Sequence, residues 1–333
     1  MDCNSNLFLS LIISVRNKTE LLEKLLRSIA DSNYLNYELI IIDDASKENV
    51  KSIASKYKTV YFRLKQKRGA GAARNLGAEK AKGNILVFID SDTEVFPNTF
   101  SELVKPFQNP KTNAVIGVYD KIPANKGTFP AFKALRDYSY IMLERDPNYP
   151  IGGFGGWISA IRKNIFWEIG GFDQSYKGAG MEDYEFAWRL IKKTEIIFNP
   201  KIKIKHNFNG FWVTCLNFYK RSSLWIEMYL KYKRFFSSAT NPREGLIAGL
   251  SNLTIFFLLL FLIVKSIQLF ILFLVVFSIR LYLGRIFLLF ALKEKGIFFM
   301  VYSIMISSFL YLAVYAGVLA GIIRSFIKLK LFN

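Results

Sequence analysis

Three short acidic clusters are the residues of this chain best suited to chemistry. They are Asp43-Asp44, Asp90-Ser91-Asp92 and Glu182-Asp183-Tyr184-Glu185, in a basic chain with 45 Lys and Arg against 26 Asp and Glu, a formal charge of +19. Carboxylates that are brought together repel one another unless a cation or a hydrogen-bond donor compensates them. A divalent cation with oxygen ligands that also bridges to phosphate is the simplest compensation. The alternative for any single cluster is a turn or helix-capping acid.

A glycine- and arginine-rich segment, Arg68-Gly69-Ala70-Gly71-Ala72-Ala73-Arg74-Asn75, offers complementary donors. Glycines let backbone amides approach an anion, and both a helix start and arginine side chains favour phosphate. Gly71 and Arg74 are therefore predicted to bind the phosphates of a nucleotide. The segment is not a dinucleotide-binding fingerprint, because Arg74 occupies the position of the third glycine and the segment follows a third strand. A tight strand-to-helix turn is the alternative.

Residues 1–215 alternate between predicted strands and predicted helices. The strands are Leu7–Val15, Glu38–Ile42, Val60–Leu64 and Ile85–Ile89, and the helices are Thr19–Ala30, Val50–Tyr57 and Ala72–Lys82. This alternation predicts an α/β fold, with a mostly parallel sheet and helices on both faces. Ligands of such sheets bind beyond the carboxyl ends of the strands, where the first two acidic clusters lie.

Three apolar stretches occupy the C-terminal third, at 246–264, 267–283 and 297–323. A helix needs roughly 20 apolar residues to cross a bilayer, and the first and third stretches meet that length. The second is shorter and contains Arg280, which is able to extend toward an interface. We therefore expect 246–333 to be a transmembrane region. A set of buried helices in a soluble core is the alternative, disfavoured because soluble helices normally carry one polar face.

Residues 216–245 combine bulky apolar side chains at helical spacing with lysines and arginines. This pattern is typical of a basic amphipathic helix at an anionic membrane surface, although a helix packed on its own protein would show it too. The basic run Lys220–Arg243 predicts a multi-pass protein of the cell membrane, with its N-terminal domain in the cytoplasm. A third crossing would place Arg324, Lys328 and Lys330 on the other side, against the same rule, so the number of crossings stays open.

Composition excludes several classes of protein. With 52% hydrophobic and 16% aromatic residues, the chain has the apolar surface that a folded core requires. Only two cysteines, Cys3 and Cys215, are present, which excludes a disulfide framework. The first residues lack the basic region and cleavage site of a signal peptide, so we expect none. Because the basic residues are spread along the chain, we expect no nucleic-acid partner.

The order of the motifs resembles one protein family. Ser14-Val15-Arg16-Asn17 ends the first strand, and the paired aspartates, the Gly-Arg segment and Asp90-Ser91-Asp92 follow it. The chain continues with Gly152-Gly153-Phe154-Gly155-Gly156-Trp157, Gly170-Gly171-Phe172-Asp173, and Glu182-Asp183 with Arg189-Leu190. This series is similar to the inverting family 2 glycosyltransferases of the GT-A fold, over about residues 7–210. Membrane helices are a common C-terminal addition to such enzymes.

The resemblance implies roles for the residues near the donor nucleotide. Ser14, Arg16 and Asp44 match the residues that hold the nucleotide base. Asp92 of the D-x-D motif matches the ligand of Mn²⁺ or Mg²⁺ on the diphosphate, and Asp90 matches the residue near the ribose and the metal.

The resemblance also implies where the transfer itself takes place. Glu182 and Asp183 form the catalytic motif, with Asp183 as the general base that an inverting transfer needs to deprotonate the acceptor hydroxyl. Gly156 and Trp157 match the region that lines the donor sugar and the acceptor. The single histidine, His206, follows the Glu182-Asp183 motif in the sequence and is a candidate metal ligand. The alternative is a histidine with a purely structural role.

The leading hypothesis is a membrane-bound transferase that moves a sugar from a nucleotide sugar, expected to be UDP-linked, to a lipid-linked or other membrane-proximal glycan acceptor. The Q-x-x-R-W signature of processive synthases is absent around 218–225, which favours one transfer per binding event. Two alternatives stay open. A membrane-associated nucleotidyltransferase would use a similar sheet and metal site but release pyrophosphate, and a non-catalytic membrane partner would use the positive charge only to bind anionic lipid.

Overall fold

The structure, a computed structural model, describes residues 7–144, 154–176, 181–232 and 242–331. The chain divides into two compact units. We call Met1–Gly127 with Pro147–Phe208 the sheet unit, and Thr128–Asp146 with Asn209–Asn333 the helical unit. The division differs from the expected boundary at residue 215, because a helix from the middle of the sequence groups with the C-terminal helices.

The sheet unit is built on one eight-stranded sheet with the order β3-β2-β1-β4-β7-β6-β8-β5. Its strands are β1 (Leu9–Val15), β2 (Tyr37–Asp43), β3 (Val60–Arg63), β4 (Ile85–Asp90), β5 (Thr93–Val95), β6 (Ala114–Tyr119), β7 (Ile158–Arg162) and β8 (Ile196–His206). Its helices are α1 (Thr19–Ala30), α2 (Val50–Ala54), α3 (Ala70–Lys80), α4 (Thr99–Val104), α6 (Lys163–Glu168) and α7 (Glu182–Ile191), with a 3₁₀ turn at Lys105–Gln108.

The sheet is mixed. The neighbours β3-β2-β1-β4 are parallel, as are β6 and β8, whereas β7 runs antiparallel to β4 and β6, and β5 antiparallel to β8. The predicted α/β fold is confirmed, with more antiparallel pairing than the sequence indicated. In the register, Val15 lies opposite Asp43 and Ser14 opposite Asp90. The acids that end β2 and β4 therefore share one edge of the sheet.

Apolar layers cover both faces of this sheet. In β1, Leu11 and Ile13 belong to one buried cluster and Ile12 to the other, as alternation along a strand requires. On the first face, α1 buries the stripe Leu22, Leu25, Leu26 and Ile29. On the second face α3 lies very close to the sheet, because a Cβ added at Gly77 would clash with the side chain of Ile12. This close approach brings the start of α3 to the acidic edge.

The helical unit contains the remaining helices. They are α5 (Thr128–Met142), α8 (Phe211–Tyr232), α9 (Pro242–Val264), α10 (Ile267–Leu283), α11 (Arg285–Lys295) and α12 (Ile297–Leu331). Helix α5 joins this unit through Phe132 and Leu135, which pack with Phe287, Ala291 and Leu310. Helix α12 packs closely on α8, since a Cβ at Gly317 or Gly321 would clash with the backbone of α8.

Two helices of the described chain are long and apolar enough to cross a membrane, Arg243–Val264 and Ile297–Ile327. A third candidate span exists if two helices that meet at a 72° bend are taken as one span. These helices are Ile267–Leu283 and Arg285–Lys295. Lys265 and Ser266 join α9 to α10, and Lys265 has φ +54°. Arg280 does not extend outward, because its side chain is buried against α12. Of the segment 216–245, residues 233–241 lie outside the described residues.

Candidate active site

Arg74 joins two of the three acidic clusters. It lies on α3, is 6% exposed, and binds the Asp90 Oδ1 atom through Nη2 and the Glu182 Oε1 atom through Nη1, at 3.1 Å each. Burial by itself lowers the pKa of the guanidinium, but the carboxylates of Asp90, Glu182 and Asp183 raise that pKa above its ordinary value. Arg74 therefore remains a fixed cation, and it holds the end of β4 next to the start of α7.

Gly156 lies between the carboxylates of Asp90 and Asp183. A Cβ at Gly156 would be 3.3 Å from the Oδ2 atom of Asp183 and 3.6 Å from the Oδ2 atom of Asp90. The other oxygen of Asp183, Oδ1, accepts the backbone N–H of Tyr184 at 2.9 Å. Asp183 is half-buried and Glu182 is 3% exposed, so only Asp183 is able to meet a ligand. The structure thus brings Asp90 and Asp183 together and gives Glu182 an internal ion pair.

Trp157 fixes Asp90 from the opposite side. Its backbone N–H donates to the Oδ2 atom of Asp90 at 3.0 Å, and its carbonyl accepts the Asp90 N–H at 3.3 Å. Trp157 has φ +61°, a left-handed conformation that is rare for a large side chain and tends to occur at functional sites. Asn17 and Ala45, which follow β1 and β2, also have positive φ. Unusual backbone conformations therefore gather at the edge that carries the acids.

Asp92 and His206 form a second group at this edge. The Nε2 atom of His206 is 3.6 Å from the Oδ2 atom of Asp92, and the Nζ atom of Lys18 lies 2.5 Å from the same oxygen. Thr93 on β5 pairs with His206 on β8, and this pairing brings Asp92, the residue before Thr93, close to His206. Although burial raises the pKa of Asp92, the hydrogen bond and charge of His206 and the charge of Lys18 lower it well below its usual range. Asp92 is therefore an ionised carboxylate that attracts cations.

Asp92 and His206 suit a divalent metal ion, although they do not form a complete site. The described residues contain no group of three or more His, Cys, Asp or Glu side chains that would hold a metal. Neighbouring ligands of an octahedral ion lie about 3 Å apart, close to the observed 3.6 Å between the two donor atoms. A carboxylate oxygen with an imidazole nitrogen suits Mn²⁺. These two residues would hold a metal ion at an open site, and a bound diphosphate or water would have to supply the other ligands. Asp90 is engaged by Arg74 and Trp157.

The paired aspartates Asp43 and Asp44 hold the loops around them. Asp43 is fully buried and accepts hydrogen bonds from the Ser46 backbone and the Tyr61 hydroxyl, at 2.8 Å each. Asp44 accepts the backbone N–H groups of Arg68 at 2.6 Å and Gly69 at 3.0 Å. Asp44 thereby fixes the loop that leads into α3.

The other predicted nucleotide-binding residues lie on or beside the same edge. Ser14 is half-buried at the end of β1, and Arg16 is exposed in the loop that follows. Gly71 is in the first turn of α3, where an added Cβ would be 3.3 Å from the Cβ of Phe172 and 3.4 Å from the Cγ of Glu182. The structure therefore gives Gly71 a packing reason to be small. A nucleotide-binding role for these three residues stays a prediction.

Three residues that shape the site were not predicted from the sequence. Lys18 binds Asp92, and no pattern around it in the sequence indicated this contact. Phe172 lies under the Arg74 guanidinium, with 5.5 Å between the guanidinium carbon and the ring centre. Asn75 holds the backbone of Phe172 through two hydrogen bonds, of 2.8 and 2.9 Å. The Gly170-Gly171-Phe172-Asp173 motif was a signal for this support, but its spacing did not reveal a partner.

Two sequence families match the chain. Residues 10–170 match the family described as glycosyl transferase family 2, and residues 136–210 match the family described as the N-terminal domain of galactosyltransferase. Together these matches include the strand ends, Arg74 and the Glu182-Asp183 motif.

Individual relatives agree with the family matches. An uncharacterized glycosyltransferase of Haemophilus influenzae is 29% identical over 228 residues, which cover 65% of this chain and 70% of that protein. N-acetylgalactosaminyltransferase 6 of Drosophila melanogaster is 30% identical over 195 residues, which cover 52% of this chain but only 29% of that protein. The chain thus spans less than a third of the second relative.

Solved structures show the fold. A mannosyltransferase of Pyrobaculum calidifontis, solved with GDP-Man and Mn²⁺, has a TM-score of 0.57 at 15% identity, covering 94% of this chain and 86% of that one. GalNAc-T7, solved with UDP, GalNAc and Mn²⁺, has a TM-score of 0.50 at 22% identity, covering 61% of this chain and 44% of that one. At these identities the likeness concerns the fold alone.

Proposed function

We propose that this chain transfers a sugar from a nucleotide sugar to an acceptor at a membrane. The chain carries a glycosyl transferase family 2 domain with a GT-A-like fold, and it is on that ground a glycosyltransferase. We further propose that the donor is UDP-linked, that the configuration at the sugar carbon inverts, and that one sugar is transferred per binding event.

The observation that carries the proposal is the pair of carboxylates around Gly156. The Oδ2 atoms of Asp183 and Asp90 both lie close to Gly156. The Oδ1 atom of Asp183 accepts the Tyr184 N–H. An inverting transfer needs one carboxylate that takes the proton of the acceptor hydroxyl as the new bond forms. In our proposal the Oδ2 atom of Asp183 takes that proton. Arg74 and Glu182 are positioning residues, because they fix the start of α7 without an exposed atom to react.

A divalent ion, Mn²⁺ or Mg²⁺, fits Asp92 and His206 and would supply positive charge for the departing diphosphate. The two solved neighbours named above both contain Mn²⁺ with a nucleotide or nucleotide sugar, which supports this cofactor class. On the protein side, the acidic edge meets the N-terminal end of α3, which favours the negative charge of phosphates. Ser14, Arg16 and Asp44 are proposed to select the base beside it.

The helical unit supports a location in the cell membrane. Two of its helices have the length and apolar character of membrane spans, and large apolar side chains such as Ile263 and Phe298 are 79% and 89% exposed. Exposed apolar surface of this kind is stable in lipid rather than in water. We propose that the acceptor is a lipid-linked or membrane-proximal glycan, and that the sheet unit lies in the cytoplasm.

The test uses the full chain purified in detergent. Thermal unfolding is measured with UDP-GlcNAc, UDP-GalNAc, UDP-Glc and GDP-Man, each with and without Mn²⁺, because a ligand of the folded state raises the unfolding temperature. Release of UDP or GDP is then measured for the donor that binds, with total lipid extract as the source of acceptor. A nucleoside diphosphate as product supports a sugar transfer. In a parallel assay the chain receives UTP or GTP with a sugar 1-phosphate, and release of pyrophosphate there would indicate a nucleotidyltransferase.

Two variants test the mechanism against a matched control. Asp183→Asn should lower product release by roughly 10²–10⁴-fold yet keep the donor-dependent rise in unfolding temperature. Asp92→Ala should lose the Mn²⁺-dependent part of that rise. Glu79→Gln, an equally small change on the exposed side of α3, should behave like the unmodified chain. Full turnover in Asp183→Asn would refute the assigned base, and no binding of any donor would refute the proposed function.

A further inference from the structure

Arg280 is a feature of the helical unit that the proposed function does not use. It lies near the end of α10 and is only 6% exposed. Its Nη2 atom donates to the carbonyl oxygen of Ile304 at 2.9 Å and to the Oγ atom of Ser307 at 3.1 Å, both on α12. Neither acceptor carries a charge. A buried cation between apolar helices is costly without an anionic partner, and such a residue commonly marks a functional site.

The neighbouring carboxylates are already taken by other arginines. Arg136 binds Glu144 at 2.9 Å and Glu244 at 2.6 Å, and Arg243 binds the second oxygen of Glu144 at 3.3 Å. Burial lowers the pKa of Arg136, but Glu244 and Glu144 raise it well above its ordinary value, so this arginine stays charged. Within the described parts of the chain, Arg280 has no carboxylate at ion-pair distance. Three arginines thus face two glutamates, which leaves 3 − 2 = +1.

Arg280 opens onto a cavity that has both polar and apolar walls. Arg136, Ser307 and Tyr311 line the same cavity, and Phe287 and Leu288 are among its apolar walls. Glu144 also lines it, but both of its oxygens are held by arginines. The cavity therefore combines an uncompensated positive charge and two hydroxyl groups with hydrocarbon surface. This combination suits a small anionic group attached to an apolar chain.

We propose that this cavity binds the phosphate group of a membrane lipid, with Arg280 as the counter-ion. A planar guanidinium donates to phosphate oxygens through two parallel hydrogen bonds. The hydroxyls of Ser307 and Tyr311 donate here to the Ile304 carbonyl and to Glu244, and they would add donors to a phosphate by rotating toward it. A bound phosphate would cancel the excess charge of the cluster. A lipid is favoured over a free phosphate because the cavity lies among helices whose outer surfaces are apolar and exposed.

The cavity also lies at the end of α10, beside the 72° bend into α11, where a headgroup would meet the ends of the helices. This inference deepens the proposed function and rests on it in one respect: if the site is used in the transfer reaction, the acceptor is a phosphate-bearing lipid. Binding itself requires no nucleotide sugar, so it can be tested separately.

The test measures thermal unfolding of the full chain in a phosphate-free detergent, without any nucleotide sugar. The probes are farnesyl phosphate, farnesol and inorganic phosphate at equal concentrations. Farnesyl phosphate should raise the unfolding temperature at concentrations where farnesol does not, because only the phosphate meets Arg280. An equal rise with inorganic phosphate would assign the site to free phosphate, and an equal rise with farnesol would overturn the proposal.

Arg280→Gln and Arg280→Lys locate the site, with Arg285→Gln as the matched control. Arg285 lies five residues further on, is exposed, and contacts only its own neighbourhood at Tyr282. Apparent affinity for farnesyl phosphate should fall at least about tenfold in Arg280→Gln, fall less in Arg280→Lys, and stay unchanged in Arg285→Gln. If Arg280→Gln does not fold, Arg280→Lys decides. Unchanged affinity in the folded Arg280 variants would overturn the proposal, whatever the outcome of the sugar-transfer assay.

Discussion

Each unit of this protein contains an arginine that bridges two carboxylates, buried in the case of Arg74 and half-buried in the case of Arg136. The two clusters differ in how much of a bridged carboxylate is exposed. The pairs are Arg74 with Asp90 and Glu182, and Arg136 with Glu144 and Glu244. In the sheet unit, the Asp90 side chain is 25% exposed and Asp183 lies beside it. In the helical unit, the Glu144 side chain is only 2% exposed.

In both clusters the bridging arginine positions the acids but does not determine their function. Carboxylates raise the pKa of both Arg74 and Arg136 against the effect of burial, so neither arginine is able to donate a proton in turnover. The functional difference comes from the neighbours. Gly156 leaves room beside Asp90 and Asp183, whereas hydrocarbon and two further arginines surround the cluster of Arg136.

The largest expected effect comes from removing either bridging arginine. Arg74→Met removes the cation that Asp90 and Glu182 share. Arg136→Met removes the cation that Glu144 and Glu244 share, although Arg243 still binds Glu144. Removing one partner of a buried ion pair costs about 3–5 kcal/mol. Both variants should unfold at a lower temperature than the unmodified chain. Only Arg74→Met should also lose nucleoside diphosphate release in protein that is still folded, measured below its unfolding temperature. An equal loss of turnover in folded Arg136→Met would show that the helical cluster takes part in the reaction.

Two glycine substitutions should separate stability from activity. Gly317→Ala places a Cβ against the Tyr219 carbonyl, and overpacking of this kind costs about 1–3 kcal/mol. Gly156→Ala places its Cβ 3.3 Å from a side-chain oxygen of Asp183, so the backbone need not move. We expect Gly156→Ala to keep its unfolding temperature but lose roughly 10- to 100-fold in turnover, because the reacting groups are misplaced. The reverse pattern would contradict the placement of the site.

The smallest expected effect concerns Lys18. Its ammonium group contacts the oxygen of Asp92 that we propose as a metal ligand, so a divalent ion has to displace it. Lys18→Met should bind Mn²⁺ about tenfold more tightly, as measured by electron paramagnetic resonance titration of the free ion. Lys24→Met is the control, because Lys24 lies on α1, the helix that follows Lys18, and pairs with the exposed Glu20. Equal Mn²⁺ affinity in both variants would mean that Lys18 and the metal do not share Asp92.

The first half of the sheet unit could be predicted closely from the sequence. Helix α1 has the predicted bounds, and β1 to β4 end within two residues of the predicted ends, because each is a continuous apolar run between polar turns. The family resemblance and the fold are confirmed as well. For β1, β2 and β4 the predictions succeeded because these strands are largely buried and are thus marked by their apolar composition. The edge strand β3 is not buried, and its β-branched and aromatic residues indicated it instead.

Other features depend on contacts between distant residues, which a single sequence does not contain. The antiparallel strand β7 and the membership of α5 in the helical unit follow from pairing across the chain. The same holds for the site. Residue type and position marked Asp90 and Glu182 as candidate site residues, and their roles stay predictions. Their ion pairs to Arg74, 16 and 108 positions away, could not be predicted from the sequence. The role predicted for Arg74, phosphate binding, stays a prediction; in the structure Arg74 binds carboxylates of its own chain.

The charges near Asp92 disfavour a shifted register between β5 and β8. Thr93 on β5 lies opposite His206 on β8, and Lys205 precedes His206 in β8. Because side chains alternate across a strand, a slip by one residue would put Lys205 in the place of the imidazole. That ammonium would then face Lys18 across a single carboxylate, and the two like charges would disfavour the misaligned strand. The residues proposed to receive a metal ion would in this way help the chain to reject a wrong fold.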